Sequence, residues 1–375
     1  MRAYWRREMT AATWRVVPAS SQLGALDPRY IEAVNPDYPA APEWAPGFGM
    51  PSTLFSYSGA CYDQTNDVLW APLQGGHTDY GGNEPYKIAL NVSTPGWAMV
   101  RNPSGSVGNV LTTKDGQEAT GVYSDGRPRA VHSYNKPLYV PGDGPWLGVA
   151  GATWYSASGG LIAPLRVDPV TGEGAFGAAI TVNAPALART SSGGSTFDPT
   201  RGNRGSIWFR VSGTGRIYRY DIDADSWSSG ASLAGGSSVS LCYVQSQDLI
   251  VILDGNLRLY DPAADTYHLP TVTGSSSGST LTGLAQPWWV SPLGVLAWWH
   301  NSTNRTVISK LTPPAGDWTT GTWTVGEFSV DGSNAVTPTA ADTNGTFGRF
   351  FYAPRLGGFG LLNAANQDLY FFALD

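Results

Sequence analysis

The sequence predicts an all-β chain, a single β-propeller over residues 1–375, and three observations predict it. A unit of four short strand-like runs joined by tight turns recurs along the chain. The composition, with 46 Gly, 27 Pro, 15 Trp and 18 Tyr and only 14% charged residues, suits many short strands and turns rather than long helices. The last unit holds three strands, and its missing fourth is present at the opposite end of the chain.

The clearest unit runs through 195–199 (STFDP), 206–211 (SIWFRV), 215–221 (GRIYRYD) and 226–228 (SWS). It recurs as 241–244 (LCYV), 248–253 (DLIVIL), 256–261 (NLRLYD) and 266–269 (TYHL). Runs of this length separated by turn residues, such as 245–247 and 262–265, make antiparallel sheet. Looser copies begin at Ala60, near His132, at Pro287 and at Phe350. The blades therefore fall at roughly 57–100, 132–176, 194–228, 240–269, 287–325 and 347–375. A closing strand at about 12–18, containing 13–17 (TWRVV), supplies the fourth strand of the last blade, and closure leaves no sheet edge open. Six blades are expected, and a seventh fits if 20–56 or 101–131 holds a further strand set.

Tyr220 and Trp227, and Tyr260 and Tyr267, stand at the kelch spacing of an aromatic followed by a second aromatic seven positions on, and the doublet Gly75-Gly76 ends a second strand. On these residues the chain resembles the kelch and galactose-oxidase-like propellers. The block of Gly76, His77, Asp79, Tyr80, Gly82, Asn83, Glu84 and Tyr86, with 126–128 (GRP), His132 and Tyr134 downstream, resembles a group of bacterial and phage-encoded kelch-like proteins. The resemblance implies a fold more than an activity, because propellers host many functions. Copper chemistry of the galactose-oxidase kind needs a cysteine crosslinked to a tyrosine. Here Cys61 and Cys242 share a strand context, Ala-Cys-Tyr and Leu-Cys-Tyr, at equivalent places in well-separated units. Since a disulfide needs Cα atoms within roughly 7 Å, they are expected to be unpaired core thiols.

The net charge of −6 is mild and spread along the chain, without the basic stripe that nucleic acid or anionic lipid would require. No apolar run approaches the ~18 residues of a membrane span. The first residues, MRAYWRREMTAATWRVV, lack the apolar stretch and cleavage site of a secretory signal. The expectation is either that the mature chain starts elsewhere or, as favoured, that the protein is made in the cytoplasm and reaches a virion or the extracellular space by another route, such as lysis.

In an antiparallel four-strand blade, the second-to-third-strand loop and the link to the next blade share one rim. The long segments 75–85, 101–131, 142–153, 177–194, 269–286 and 326–346 nearly all fall in this class, and the opposite rim receives short turns. Working residues concentrate on variable loops, so the long-loop rim is the expected functional face. It would gather His77, Asp79, Tyr80, Asn83 and Glu84 from the first blade and Arg127, Arg129 and His132 from the link to the second. Trp146 and Trp154, placed on loops, could stack on sugar rings.

Four roles suit that cluster, the simplest being direct contact with a ligand, without chemistry, by His77, Asp79, Tyr80, Asn83, Glu84, Arg127, Arg129 and His132 together with Trp146 and Trp154. A His or Tyr could abstract the proton α to a uronate carboxylate while Arg neutralises the developing charge, which would make His77, Tyr80, His132, Arg127 and Arg129 the catalytic set of a polysaccharide lyase. His77, Asp79 and Glu84 offer metal donors, but without HxH, HExxH or EF-hand spacing; no metal or cofactor is expected. As a clasp, Asp79 and Asn83 would cap turns and Glu84 would pair with Arg127 or Arg129 between blades. About two-thirds of Trp208, Trp288, Trp289, Trp298, Trp299 and Trp323 are expected to pack between blades, and 273–282 to be a flexible loop. The favoured expectation is a non-enzymatic phage virion, tail or surface protein. It would present a propeller face to a host glycan, a cell-surface receptor or other virion subunits, with no nucleic acid and no membrane insertion. The alternative is the lyase.

Overall fold

The computed structural model describes residues 6, 9–17, 58–72, 83–102, 126–128, 133–150, 163–179, 193–210, 215–236, 238–278, 281–300, 304–341 and 345–374. Blade one is β2 (Cys61–Asp63), β3 (Val68–Ala71), β4 (Tyr86–Ala89) and β5 (Trp97–Met99). Blade two is β6 (Pro137–Val140), β7 (Gly144–Ala150), β8 (Ala163–Val167) and β9 (Gly174–Phe176). Blade three is β10 (Gly194–Asp198), β11 (Ser206–Arg210), β12 (Arg216–Asp221) and β13 (Ser226–Ser232). Blade four is β14 (Ser240–Val244), β15 (Leu249–Leu253), β16 (Leu257–Asp261) and β17 (Thr266–His268). After β18 (Thr271–Gly274), blade five continues with β19 (Trp288–Val290), β20 (Val295–Trp298), β21 (Ser309–Thr312) and β22 (Thr322–Glu327). Blade six is β23 (Phe350–Ala353), β24 (Gly358–Leu361) and β25 (Tyr370–Ala373), completed by β1 (Trp14–Val16).

The first strand of every blade touches the first strand of both neighbours, which closes a six-membered ring around a central channel. β1 seals it: Trp14 lies opposite Phe372 in antiparallel register, their rings edge to face at 5.2 Å. Arg6 adds hydrogen bonds from Nε to Leu356 O (2.6 Å) and from Nη2 to Gly357 O (2.9 Å). Apolar side chains of the strands pack between adjacent blades. Trp208, Trp298, Trp299 and Trp323 are buried there, while Trp288 and Trp289 stay half-buried at the channel. That burial is the main stabilising term, at roughly 25 cal/mol per Å² of apolar surface. No helix among the described residues is long and apolar enough to cross a membrane.

One local rule builds many of the tight turns. The fifth residue after a strand-end aromatic takes a left-handed conformation, at Asp67 (φ 55°), Asp225 (φ 46°), Asp248 (φ 52°) and Asp265 (φ 51°). Aspartate tolerates this region better than most side chains. Here each carboxylate also accepts a hydrogen bond from the tyrosine five residues earlier. Tyr62 donates to Asp67 (3.0 Å), Tyr220 to Asp225 (2.5 Å), Tyr243 to Asp248 (2.8 Å) and Tyr260 to Asp265 (2.7 Å). A second aspartate caps the start of many of these turns. Asp63 Oδ1 accepts from the Thr65 and Asn66 amides, and Asp221 and Asp261 repeat the pattern. Where the left-handed position carries glycine instead, as at Gly357 (φ 69°), no tyrosine lock is needed.

The same turns account for the aromatic spacing seen in the sequence. Tyr220 and Trp227 are direct cross-strand partners over the β12–β13 turn, with rings 5.2 Å apart, and Tyr260 and Tyr267 repeat this at 5.1 Å. Such pairs contribute roughly 0.2–1 kcal/mol each.

Three expectations need correction. The segment 142–153 is not one long loop: 141–143 is a tight turn and Gly144–Ala150 is a strand paired with β6 and β8. Trp146 is therefore a strand residue, 5% exposed, packed with Leu138, Val140, Ile207 and Tyr220 between blades two and three. It is not a sugar-stacking loop residue. The run 273–282 is not loop throughout, because Thr271–Gly274 joins blade five as a fifth strand, parallel to β22. Its partner lies some fifty residues on, so local composition does not report it.

Candidate functional site

Of the polar cluster, His77, Asp79, Tyr80, Arg129 and His132 lie outside the described residues, as does Trp154. The flanking members are described. Asn83 Nδ2 donates to Pro128 O at 2.7 Å, a buried hydrogen bond that ties the end of the 75–84 segment to the strip entering blade two. Glu84, 1% exposed, accepts from the Tyr86 hydroxyl at 2.8 Å. Arg127 Nη1 donates to Asn102 O at 3.1 Å. The two segments thus come together, and each of these three bonds is a strut between or within chain segments. Among the described residues no three His, Cys, Asp or Glu side chains converge as metal donors.

A second arrangement, not evident in the sequence, occupies the channel. A cavity of about 610 Å³ is lined by the first strands of all six blades and by the turns that follow them. It therefore opens on the short-turn rim, opposite the expected working face. Each blade contributes the aromatic residue one place before the end of its first strand: Tyr62, Tyr139, Phe197, Tyr243, Trp289 and Tyr352. Two positions further on, the turns supply Gln64, Pro141, Pro199, Gln245, Ser291 and Pro354. Among the described residues, no Asp, Glu, Lys, Arg or His lines the cavity.

The turn chemistry explains that neutrality. Asp63 and Asp67 stand beside the rim but face their own turn amides and Tyr62. Arg201 bridges Asp198 (2.6 Å) and Asp248 (2.7 Å) below the mouth. The Arg201 hydrogen bond holds the Asp248 carboxyl below its usual range. Burial raises the phenols of Tyr62, Tyr139 and Tyr243, and that of Tyr243 to about 12, so all three rings are neutral at physiological pH. Cys61 and Cys242, free and buried in β2 and β14, line the channel from blades one and four; burial pushes the Cys242 thiol up to about 12 and Cys61 well up. The recurring aromatic just before each first-strand turn was the sequence signal for this site. It went unused because the channel exists only once the ring closes.

At the long-loop end the channel is crossed. Asn135, 1% exposed, sends Nδ2 from blade two to Val239 O (3.0 Å) and Gly283 O (2.5 Å), at the entries to blades four and five. Beside it Tyr134 (φ 40°) meets Phe347 (φ 45°) edge to face at 5.3 Å. Two bulky residues in the left-handed region are a strained arrangement that the ring must hold in place. Gly348 lies so close to blade one that a Cβ there would come 1.8 Å from Ala60 O.

The fold and channel together define a six-bladed β-propeller with a pocket open at one end. No family model and no curated protein matches the chain. Solved structures do. The Malassezia sympodialis allergen Mala s 1 is similar at 11% identity over 87% of this chain and 94% of that one, with a TM-score of 0.47. A functionally unknown protein from Desulfotomaculum acetoxidans is similar at 10% identity over 85% and 89%, with a TM-score of 0.43. TolB from Acinetobacter baumannii is similar at 11% identity and a TM-score of 0.38, and the chain spans about half (51%) of its length. The chain spans 26% of a further similar structure, the extracellular domain of a Bacteroides thetaiotaomicron one-component system. Likeness at this level assigns no function, and the six-bladed ring rests on its own strand pairings.

Proposed function

We propose that this propeller is a non-enzymatic surface or virion protein that binds a glycan. The observation that carries this is the channel: a ring of six aromatic side chains with amide and hydroxyl groups at its mouth and, among the described residues, no Asp, Glu, Lys, Arg or His. Concave, mostly apolar pockets with a few converging polar groups are the usual form of small-ligand sites. A site without these acid–base residues is suited to holding a ligand rather than cleaving it. The kelch-like resemblance of the 76–86 block supports a phage tail or virion setting, where host glycans are the accessible receptors. The bonds of Asn83, Glu84 and Arg127 support the clasp role for that block.

The test is to incubate the purified protein with neutral and acidic polysaccharides, measuring both retention on immobilised glycan and new absorbance from unsaturated uronates. Saturable retention without absorbance is expected. Unsaturated product that disappears in His77→Ala and His132→Ala variants would instead establish the lyase.

A further inference from the structure

Resting on that glycan-binding reading, the geometry points to a specific site and ligand class: the short-turn mouth of the channel takes the end of a neutral oligosaccharide. The site is the reverse of the face that loop length picks out. Three features choose the ligand. The volume, about 610 Å³, lies within the roughly 300–1,000 Å³ of small-ligand sites and is far too small for a folded partner. The wall combines ring faces with the amides of Gln64, Gln245 and Gln286 and the hydroxyls of Thr65 and Ser291, which suits a sugar, whose apolar C–H face stacks on an aromatic while its hydroxyl edge takes hydrogen bonds.

The third feature is the missing charge. A phosphate, sulfate, sialate or uronate would enter a low-dielectric well that no Lys, Arg or His among the described residues lines, and an uncompensated buried charge is strongly disfavoured. Among the described residues, the arginines of the neighbouring turns do not serve, since Arg201 is held by Asp198 and Asp248, and Arg355 lies against Asp67 at 3.6 Å. A neutral saccharide meets no such penalty. Gln245 is the exposed polar group best placed to grip it, because its amide makes no bond within the described residues. Ser291, also exposed, stands at the mouth on the neighbouring blade five.

The experiment is a titration of the full chain with neutral trisaccharides (glucose, galactose, mannose and N-acetylglucosamine trimers), a galacturonate trimer, a sialylated trisaccharide and choline. Binding is followed through the fluorescence of Trp288 and Trp289, which line the cavity, and by calorimetry. At least one neutral trimer is expected to bind. Its affinity should fall about tenfold in Gln245→Ala, the loss of roughly one good polar contact, and further in Ser291→Trp, which fills the mouth. Both residues are exposed, so unchanged melting temperatures will separate lost binding from lost folding. Neutral-glycan binding that survives both substitutions would overturn the channel as the site while leaving the glycan-binding function standing. Preference for the acidic trimers or for choline would overturn the neutral class. Absence of binding to every glycan would overturn the function as well.

Discussion

The two ends of the central channel are built from the same six strands and obey different economies. At the short-turn end, each strand runs into a turn whose left-handed position carries Asp or Gly and whose carboxylates are satisfied locally. Little is strained there, and the wall is left as bare aromatic and amide surface. At the other end, blade entries are pressed together. Tyr134 and Phe347 sit in the left-handed region, Asn135 spans the channel, and Lys136 is 2% exposed with no side-chain partner among the described residues. Burial alone lowers the Lys136 ammonium to about 7. One end therefore holds the ring together at a cost in strain and desolvation, and that leaves the other end open for a ligand.

The largest effect expected from breaking this contrast is a gain. Replacing Lys136 by Met removes a buried amine whose folded-state pKa lies about three units below the ordinary lysine value of ~10.4, and should stabilise the protein at pH 7 by up to about 4 kcal/mol. The sign follows from proton binding. Between about pH 7 and 10 the unfolded chain holds the proton and the folded chain does not, so wild-type stability should rise with pH across that window. Chemical denaturation at pH 7, 8.5 and 10 checks this, and the slope contributed by this group should vanish in Lys136→Met.

Next comes Gly348→Ala. A Cβ only 1.8 Å from the Ala60 carbonyl oxygen must push blade six away from blade one, and a loss of about 3 kcal/mol is expected in the same denaturation assay. Asn135→Ala strands the Val239 and Gly283 carbonyls and should cost about 1–3 kcal/mol. It should leave glycan affinity within twofold of wild type if the two ends are independent. Smallest is Gln245→Ala at the open mouth, with stability within about 0.5 kcal/mol of wild type. A large stability loss there would mean that the open end also bears structural load.

Much of the ring was legible because its signals are local or terminal. Tyr220 and Trp227 advertise a two-strand turn within eight residues. Trp14 supplies the aromatic strand that blade six lacks. The equivalence of Cys61 and Cys242 follows from shared neighbours and is seen in β2 and β14. What escaped needed contacts distant in sequence. Trp146 looked like a loop residue because the Gly142 and Gly144 around its turn mask a strand start. β18 finds its partner only across the β19–β21 meander. Asn135 closes the channel through carbonyls 104 and 148 residues away. Long loops mark the other rim, where Asn83 joins its two segments. The six strand-end aromatics become a single site only when the ring closes.

The central claim is that the pocket opens at the short-turn end, and the position of a bound sugar tests it most directly. In a crystal soaked with the tightest-binding neutral trisaccharide, the account predicts ligand density inside the ring of Tyr62, Tyr139, Phe197, Tyr243, Trp289 and Tyr352, within hydrogen-bonding distance of Gln245. Density on the long-loop rim beyond Asn135, with the channel mouth empty, would contradict it.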